Sequence, residues 1–582
     1  MQGSDHRAEI RLNGTAAAPG VARATAYLLR QGQTMVPCRQ VGDPEGELAR
    51  LDAALSATRL EIARLRDDVA RKLNESEAAI FDAHLLVLED VALIDEVTKE
   101  VRRSGFNIEF CFQGVAQRYI DIFAQMEDDF LRERAADIRD VTGRVLHHLL
   151  GTAPAALGPI VGRQVVVAVD LTPTETAGLH EGGVAAFVTE EGGRTSHSAI
   201  MARSLDIPAV VGVKGLMEAV VDGDVVLVDG EAGLVIVHPS AATLAAYLDK
   251  EQALRSRRDR MMGEIALPEA TSDGTVFTLL ANIGGPEEME DALGYHARGV
   301  GLYRTENLYL RIDDWPSEQQ QFEEYAEVVR LAQGRPVTFR TLDIGGDKRL
   351  GDLNDEANPF MGYRAVRMCL ERPEIFRPQL RAIIRAATFG PVSVMFPMIS
   401  GVEELRQAKS FFRQVEAELA GEGVRPVAPI RLGAMIEIPS AALVAPELAR
   451  ECDFFSVGTN DLVQYLLAVD RGNRRVASLY DPCHPAVVRT LAQIFGAARA
   501  ARIPVAVCGE LGGDPAWAPL LLGLGAHELS MTPAALPEVR FLLRHSTHAE
   551  MRELAERALS SPDAAATRAL LAGFVAAKLK FR

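Results

Sequence analysis

The histidine at position 197 sits in Glu191-Gly192-Gly193-Arg194-Thr195-Ser196-His197-Ser198, after a glycine pair and ahead of the apolar run Ala199-Ile200-Met201-Ala202. That setting suits an imidazole that takes up a phosphoryl group and hands it on. Glycine lets backbone come close to an anion. A helix starting near Thr195 would turn its free N–H groups and the positive end of its dipole toward that anion. Neutral imidazole is a nucleophile near physiological pH. An ordinary loop-to-helix junction reads the same locally, so the weight of the motif depends on what else the chain carries.

A second group of reactive side chains falls in the C-terminal half. Eight apolar, β-rich stretches are expected there, at Val276–Ile283, Gly299–Arg304, Val337–Ile344, Val392–Met398, Arg431–Ile438, Phe454–Gly458, Pro504–Cys508 and Glu528–Met531. Nearly all are separated by helix-patterned segments, which predicts a closed (β/α)8 barrel with its chemistry at the C-terminal rim. The residues ending those stretches are Asn282, Arg304, Arg340 with Asp343, Glu437, Asn460 with Asp461, and Cys508 with Glu510. Any one of them reads equally well as a solvated loop charge; as a set they read as a site. Arg304 and Arg340, with Arg364 and Arg471 in following segments, suit a small, multiply charged anion, because guanidinium holds phosphate and carboxylate bidentately. Glu437 and Asp461 are the carboxylates expected to hold Mg2+ beside substrate oxygens. Histidine and cysteine pairs do not crowd the rim, which disfavours Zn2+. Lys348, in Asp343-Ile344-Gly345-Gly346-Asp347-Lys348, adds a cation able to bind phosphate. Cys508 reads by spacing as either a proton donor or a small buried residue, burial being the commoner fate of a free cysteine.

The two groups need different scaffolds. Strands are expected at Gln164–Asp170, Val184–Thr189, Ala209–Val213, Asp224–Asp229 and Leu234–His238, rich in Val and bounded by Gly, Asp and Pro. His197 falls between the second and the third. Leu12–Leu29, with its Pro19-Gly20 turn, predicts one or two strands that join this layer and make the intervening helical zone an insertion. In that zone Leu48, Leu51, Leu55, Thr58, Ile62, Leu65 and Val69 recur at alternating spacings of three and four, the seam of a long helix. Ser76–Leu93, Ile94–Ser104, Ile108–Met126 and Ala135–Leu150 follow as helices of an antiparallel bundle, either a structural module or a docking surface. Ala241–Gly263 reads as one charged connector helix and a swivel. The expected architecture is α/β multidomain, with an α/β phosphohistidine domain in two segments, 1–40 and 151–240. A helical subdomain at 41–150, a linker helix at 241–265 and a (β/α)8 barrel at 266–582 complete it.

Composition narrows the function classes. The 582 residues allow two to four domains. With 80 acidic against 62 basic residues, a net charge of −18 and no dense basic run, nucleic acid is not an expected partner. Six cysteines lie without paired spacing, so neither a zinc knuckle nor a disulfide framework fits. Met1 to Ala18 lacks a signal-peptide core, and no stretch of about 18 apolar residues appears. A cytoplasmic chain without a membrane span is therefore expected. The dipeptide Gly-Lys never occurs, which excludes ATP or GTP bound through a P-loop.

Across nearly its whole length the chain resembles enzyme I of the bacterial sugar phosphotransferase system, a phosphoenolpyruvate–protein phosphotransferase. The resemblance rests on Gly192-Gly193-Arg194-Thr195-Ser196-His197, Gly299-Val300-Gly301-Leu302-Tyr303-Arg304-Thr305-Glu306 and Asp343-Ile344-Gly345-Gly346-Asp347-Lys348. It rests equally on Phe454-Phe455-Ser456-Val457-Gly458-Thr459-Asn460-Asp461-Leu462, Ala468-Val469-Asp470-Arg471-Gly472-Asn473 and Cys508-Gly509-Glu510-Leu511. It implies that His197 takes phosphoryl from phosphoenolpyruvate and passes it to a histidine of the carrier protein HPr, which docks on the helical subdomain. Thr176 and Arg203 match residues beside the active histidine. Arg304, Arg340 and Arg471, assisted by Lys348 and the Asn460 region, would clamp substrate. Glu437 and Asp461 would ligate Mg2+, and Cys508 would protonate the enolate carbon. A homodimer through the barrel is implied as well. Two other readings stay open: an enzyme like pyruvate phosphate dikinase or phosphoenolpyruvate synthase, for whose ATP-binding domain no length remains, and a mainly regulatory phosphorelay protein. Cys483 and His484 are assigned no role.

Overall fold

The computed structural model describes residues 8–29, 36–72, 81, 84–124, 129–152, 163–171, 175–176, 183–193, 197–204, 207–312, 314–345, 358–471, 473, 476 and 479–578. They fall into two compact units, Met1–Arg257 and Arg258–Arg582.

The first unit contains an eight-stranded sheet. Its strands are β1 (Ile10–Asn13), β2 (Thr15–Ala18), β3 (Val21–Leu29), β4 (Gln164–Ala168), β5 (Val184–Thr189), β6 (Ala209–Val211), β7 (Val225–Asp229) and β8 (Leu234–Val237). The order is β1-β8-β7-β3-β4-β5-β6-β2. Leu12–Leu29 thus holds three strands where one or two were expected. The reason is Gly14, the single residue between β1 and β2. It donates its N–H to Gly233 O at 2.9 Å, and a Cβ there would lie 2.6 Å from the Val213 side chain. Because β1 and β2 lie on opposite edges of the sheet, one residue apart, the sheet must curl until those edges approach. Alternation along β4 sends Val165 and Val167 into one apolar layer and Val166 and Ala168 into the other. The helix His197–Ser204 belongs to the second layer through Ala199 and Ala202, which pack with Phe187.

Between β3 and β4 the chain forms the helices Pro44–Lys72, Val91–Ser104, Ile108–Ala124 and Asp129–Leu150. Leu51, Ala54 and Ile62 of the first are buried against Val97, Phe112, Val115 and Val145 of the others. The expected break between Leu93 and Ile94 lies instead at Asp90, whose carboxylate accepts from the Ala92 and Leu93 N–H groups at 2.8 and 3.1 Å. An aspartate that satisfies two otherwise unpaired donors starts a helix more decisively than an apolar pattern that runs on through the junction. The connector helix, Ala241–Gly263, spans the predicted range.

The second unit is a closed barrel of β9 (Thr278–Ile283), β10 (Val300–Arg304), β11 (Val337–Arg340), β12 (Val392–Phe396), β13 (Arg431–Ile436), β14 (Phe454–Val457), β15 (Val505–Val507) and β16 (Glu528–Met531). Every neighbouring pair is parallel. Each predicted stretch contains one of these strands, several ending sooner than expected. β11 stops at Arg340: the Thr341 N–H still donates to Met395 O of β12 at 3.0 Å, but that of Leu342 donates to Gln379 Oε1 at 2.9 Å and not to a strand. Leu302, Met395, Met435, Phe454 and Cys508 fill the barrel's interior. Arg540, fully buried, pins the segment after the connector helix. It reaches Glu269 Oε1 at 3.0 Å and donates to Tyr295 O and His296 O, each at 2.9 Å. Among the described residues no helix is long and apolar enough to cross a membrane.

Candidate functional site

Each unit carries one part of the predicted chemistry. In the first, β5 ends in Thr189, whose hydroxyl donates to Glu191 O at 2.7 Å, while the Glu191 carbonyl accepts from Gly212 N at 3.2 Å. Gly192 then takes φ 102°, which favours glycine. Among the described residues, the helix that follows spans His197–Ser204. Arg194, Thr195 and Ser196 lie outside the described residues, and of the side chains of His197 and Arg203 nothing is described. Thr176 is buried in the same unit.

At the C-terminal rim of the barrel, guanidinium and carboxylate groups alternate. Arg340 ends β11 and is held between Glu306, which hydrogen-bonds its Nη2, and Asp343, 3.0 Å from its Nη1. Arg364 donates to the other Asp343 oxygen at 2.8 Å and lies 3.5 Å from Asp461 Oδ2. Arg471 approaches Asp461 Oδ1 at 3.5 Å, and Gln464 Oε1 accepts its backbone N–H at 3.1 Å. Burial works against the charges on Arg340 and Arg364, yet the surrounding carboxylates outweigh it and hold both guanidinium pKa values above the ordinary one. The buried Nε of each arginine has no partner among the described residues, so the pair retains donor capacity. Gly345 is required beside them: its φ is 112°, and a Cβ would lie 2.4 Å from Arg364 Cβ.

Glu437 follows β13 and is buried, with Oε1 accepting the Met398 N–H at 2.7 Å. Burial pushes its carboxyl up, and the neighbouring Asp461 and Asp343 add to the shift. Clustered carboxylates of this kind are relieved by a cation. A Cβ on Gly458 would lie 2.6 Å from Glu437 Oε2, so glycine keeps space open beside that oxygen. Oxygen donors with adjoining room fit Mg2+, which is ordinarily held by one or two carboxylates plus substrate. No three His, Cys, Asp or Glu side chains converge as a closed metal cage among the described residues. Three non-glycine residues beside the rim, Ala365, Met398 and Ala468, have φ of 53–55°. Such backbone persists only where the surroundings impose it, and it concentrates at functional sites.

Asn460, Cys508 and Arg304 border this cluster. Asn460 and Glu510 are bound to each other twice, Asn460 Nδ2 to Glu510 Oε1 and Glu510 N to Asn460 Oδ1, both at 3.0 Å. Cys508 is buried and its thiol is pushed up by burial, which keeps it protonated. Its carbonyl accepts from Asn282 Nδ2 at 2.9 Å. Arg304 ends β10 with an exposed side chain. Lys348 lies outside the described residues. Sequence reasoning missed the supports. Glu306 braces Arg340, and Tyr465 accepts from Arg364 at 3.4 Å. Gln379 donates to Thr305 Oγ1 at 3.1 Å, which itself donates to Arg340 O at 2.9 Å. Only Glu306, directly after the rim sequence Arg304-Thr305, carried a local signal.

Three family models match: "PEP-utilising enzyme, N-terminal" over residues 13–134, "PEP-utilising enzyme, mobile domain" over 160–233, and "PEP-utilising enzyme, PEP-binding domain" over 258–548. A phosphoenolpyruvate-protein phosphotransferase of Staphylococcus carnosus is 44% identical over 551 residues, 94% of this chain and 96% of the relative. That of Geobacillus stearothermophilus is 44% identical over 554 residues, 95% and 96% of the two chains. A solution structure described as enzyme I (nEIt) is 36% identical, covering 42% of this chain and 99% of its own, with a TM-score of 0.35.

Proposed function

Because the chain belongs to the phosphoenolpyruvate–protein phosphotransferases, assembled from the domains of phosphoenolpyruvate-utilising enzymes, we propose that His197 is the residue it phosphorylates. The observation that carries the reading is the alternation of Arg340 and Arg364 with Asp343, Asp461 and Glu437 at the rim of a barrel matched by a phosphoenolpyruvate-binding family.

Arg304, Arg340 and Arg471 would receive the phosphate and carboxylate of phosphoenolpyruvate, with Asn460 and Lys348 assisting. Arg364 would hold Asp343 and Asp461 in place. Glu437 and Asp461 would hold Mg2+, which when bound would offset negative charge on the transferring group. An imidazole nitrogen of His197 forms a bond to phosphorus as the bond from phosphorus to the enol oxygen breaks. The enolate left behind takes the Cys508 proton at its methylene carbon and becomes pyruvate; the thiolate regains a proton from solvent. Thr176 would contact the histidine and Arg203 would lie near its phosphorylated form. In-line alignment and charge neutralisation, more than covalent work by the protein, supply the rate.

His197 would then pass the group to a histidine of HPr docked on the helical subdomain, residues 41–150, as the first step of a sugar phosphotransferase relay. Visiting both places calls for the α/β phosphohistidine domain (1–40 and 151–240) to swing on the linker at 241–265 relative to the barrel (266–582). A homodimer through the barrel belongs to the same proposal. The six free thiols suit a reducing cytoplasm. Incubation with labelled phosphoenolpyruvate, Mg2+ and HPr, without ATP, should move label to HPr. A strict ATP requirement, with phosphoenolpyruvate made from pyruvate, would favour a dikinase-like reaction instead.

A further inference from the structure

The barrel's opposite mouth, at the N-terminal ends of its strands, holds a cavity of ≈ 510 Å³. That size lies within the roughly 300–1,000 Å³ of small-molecule sites. Bulky branched side chains usually fill a barrel of this kind; here the hydroxyl residues Thr338 and Ser393 line the space. Leu280, Val300 and Pro336 supply an apolar wall, and Val276 borders it with 75% of its surface exposed.

The charges around the cavity are mixed in sign and unevenly satisfied. Glu269 is saturated: Oε1 accepts from Arg540 at 3.0 Å, and Oε2 accepts from the Leu279 N–H at 3.1 Å and lies 3.5 Å from Arg298 Nε. The side-chain carboxylate of Glu528, the first residue of β16, has no hydrogen bond or ion pair among the described residues. Burial pushes its carboxyl up against the opposing pull of Arg431 and His527. Arg431 donates to Asp453 O at 3.1 Å and lies over the Phe454 ring, 5.2 Å from its centroid. A guanidinium carries five N–H donors, so Arg298 and Arg431 keep several in reserve.

We propose that this mouth binds a zwitterionic α-amino acid with a branched aliphatic side chain. Its ammonium pairs with Glu528, its carboxylate with Arg298 and Arg431, and its side chain packs on Leu280, Val300 and Pro336. An anion alone leaves Glu528 unpaired; a cation alone meets two guanidinium groups; a zwitterion answers both. The site is separate from the C-terminal rim, and its existence does not depend on the reaction assigned there. One wall, Pro268 to Ala270, belongs to the segment just beyond the connector helix, so a bound ligand touches the entry to the barrel.

Calorimetric titration of the full chain with L-leucine tests this, with isovalerate and isoamylamine as anion-only and cation-only probes. The expected result is saturable leucine binding, with each probe at least about tenfold weaker. Glu528→Gln keeps the shape and removes the charge, and should weaken leucine about tenfold. Thermal unfolding establishes that this variant is folded; if it is not, Arg298→Ala, on an exposed side chain, carries the same expectation. Leucine that fails to saturate, isovalerate that binds as well as leucine, or a folded variant with wild-type affinity would each overturn the proposal.

Discussion

Gly458→Ala is a sharp probe of the barrel rim because it tests space and little else. The φ of Gly458 is −83°, open to any L-residue. An added Cβ would lie 2.6 Å from Glu437 Oε2, 3.0 Å from Glu437 Cβ and 3.2 Å from Met435 Sδ. The first distance is almost an ångström inside the ~3.5 Å at which heavy atoms attract best. Glu437 cannot simply retreat, since the Met398 N–H holds its other oxygen at 2.7 Å. Overpacking of this kind costs about 1–3 kcal/mol, which a barrel of this size should survive. Displacing a carboxylate that holds a metal should lower metal affinity by roughly 10–100-fold. The assay is phosphohistidine formation from labelled phosphoenolpyruvate across a Mg2+ titration, alongside Mn2+ binding followed by electron paramagnetic resonance without substrate. Gly496→Ala is the control: it lies in the helix Pro485–Ala501 with nothing within 4 Å of the added carbon. It should leave the metal dependence alone and stabilise the chain by up to about 1 kcal/mol. A folded Gly458→Ala protein with wild-type half-saturation by both metals would refute the assignment of Glu437.

Other perturbations address separate parts of the account. Arg540→Ala strips the donor from Glu269 Oε1, Tyr295 O and His296 O while Leu279 N–H and Arg298 stay beside Glu269 Oε2, and should cost about 3 kcal/mol in denaturant unfolding of the barrel; unchanged stability would show that the clamp is idle. Burial alone would raise the Asp229 carboxyl, but Lys250, 2.6 Å away on the connector helix, and the Ala232 N–H outweigh it and hold it low. A lowered carboxyl contributes stability that is complete above its unfolded pKa of about 3.9 and is lost as pH falls through the folded value. Lys250→Met should therefore destabilise the first unit by about 1 kcal/mol at neutral pH, allowing for solvent screening of the partly exposed lysine. The gap should close near the acid end of the titration; a gap that persists there would contradict the linkage. Cys508→Ala should still yield labelled His197 while pyruvate release slows about 100-fold; undiminished pyruvate formation would remove the thiol from the reaction.

The barrel was legible because strands buried on both faces read as near-continuous apolar runs. Val392–Phe396 and Arg431–Ile436 are such runs, and the second ends directly before Glu437 at the rim. The loop before His197 announced itself through Gly192-Gly193, and Gly192, at φ 102°, answers a backbone need. What stayed hidden was set by contacts distant in sequence. Gln379 supports Thr305 across 74 positions, and nothing near Gln379 in the chain points to a partner so remote. Tyr465 likewise meets Arg364 across 101 positions. The split between β1 and β2 depended on Gly14 meeting Gly233 and Val213, both supplied from far along the chain. Local misjudgements were of another kind: Leu88 and Leu93 are both buried, so the apolar pattern runs straight through the Asp90 cap that separates them.

The central claim is that phosphorus travels through one imidazole. Brief exposure of wild type and His197→Ala to labelled phosphoenolpyruvate with Mg2+, followed by peptide mapping under alkaline conditions that preserve phosphohistidine, addresses it directly. The account predicts label on the peptide containing His197 in the wild type and none anywhere in the variant. Stable label on a different residue, or equal labelling of the variant, would contradict it.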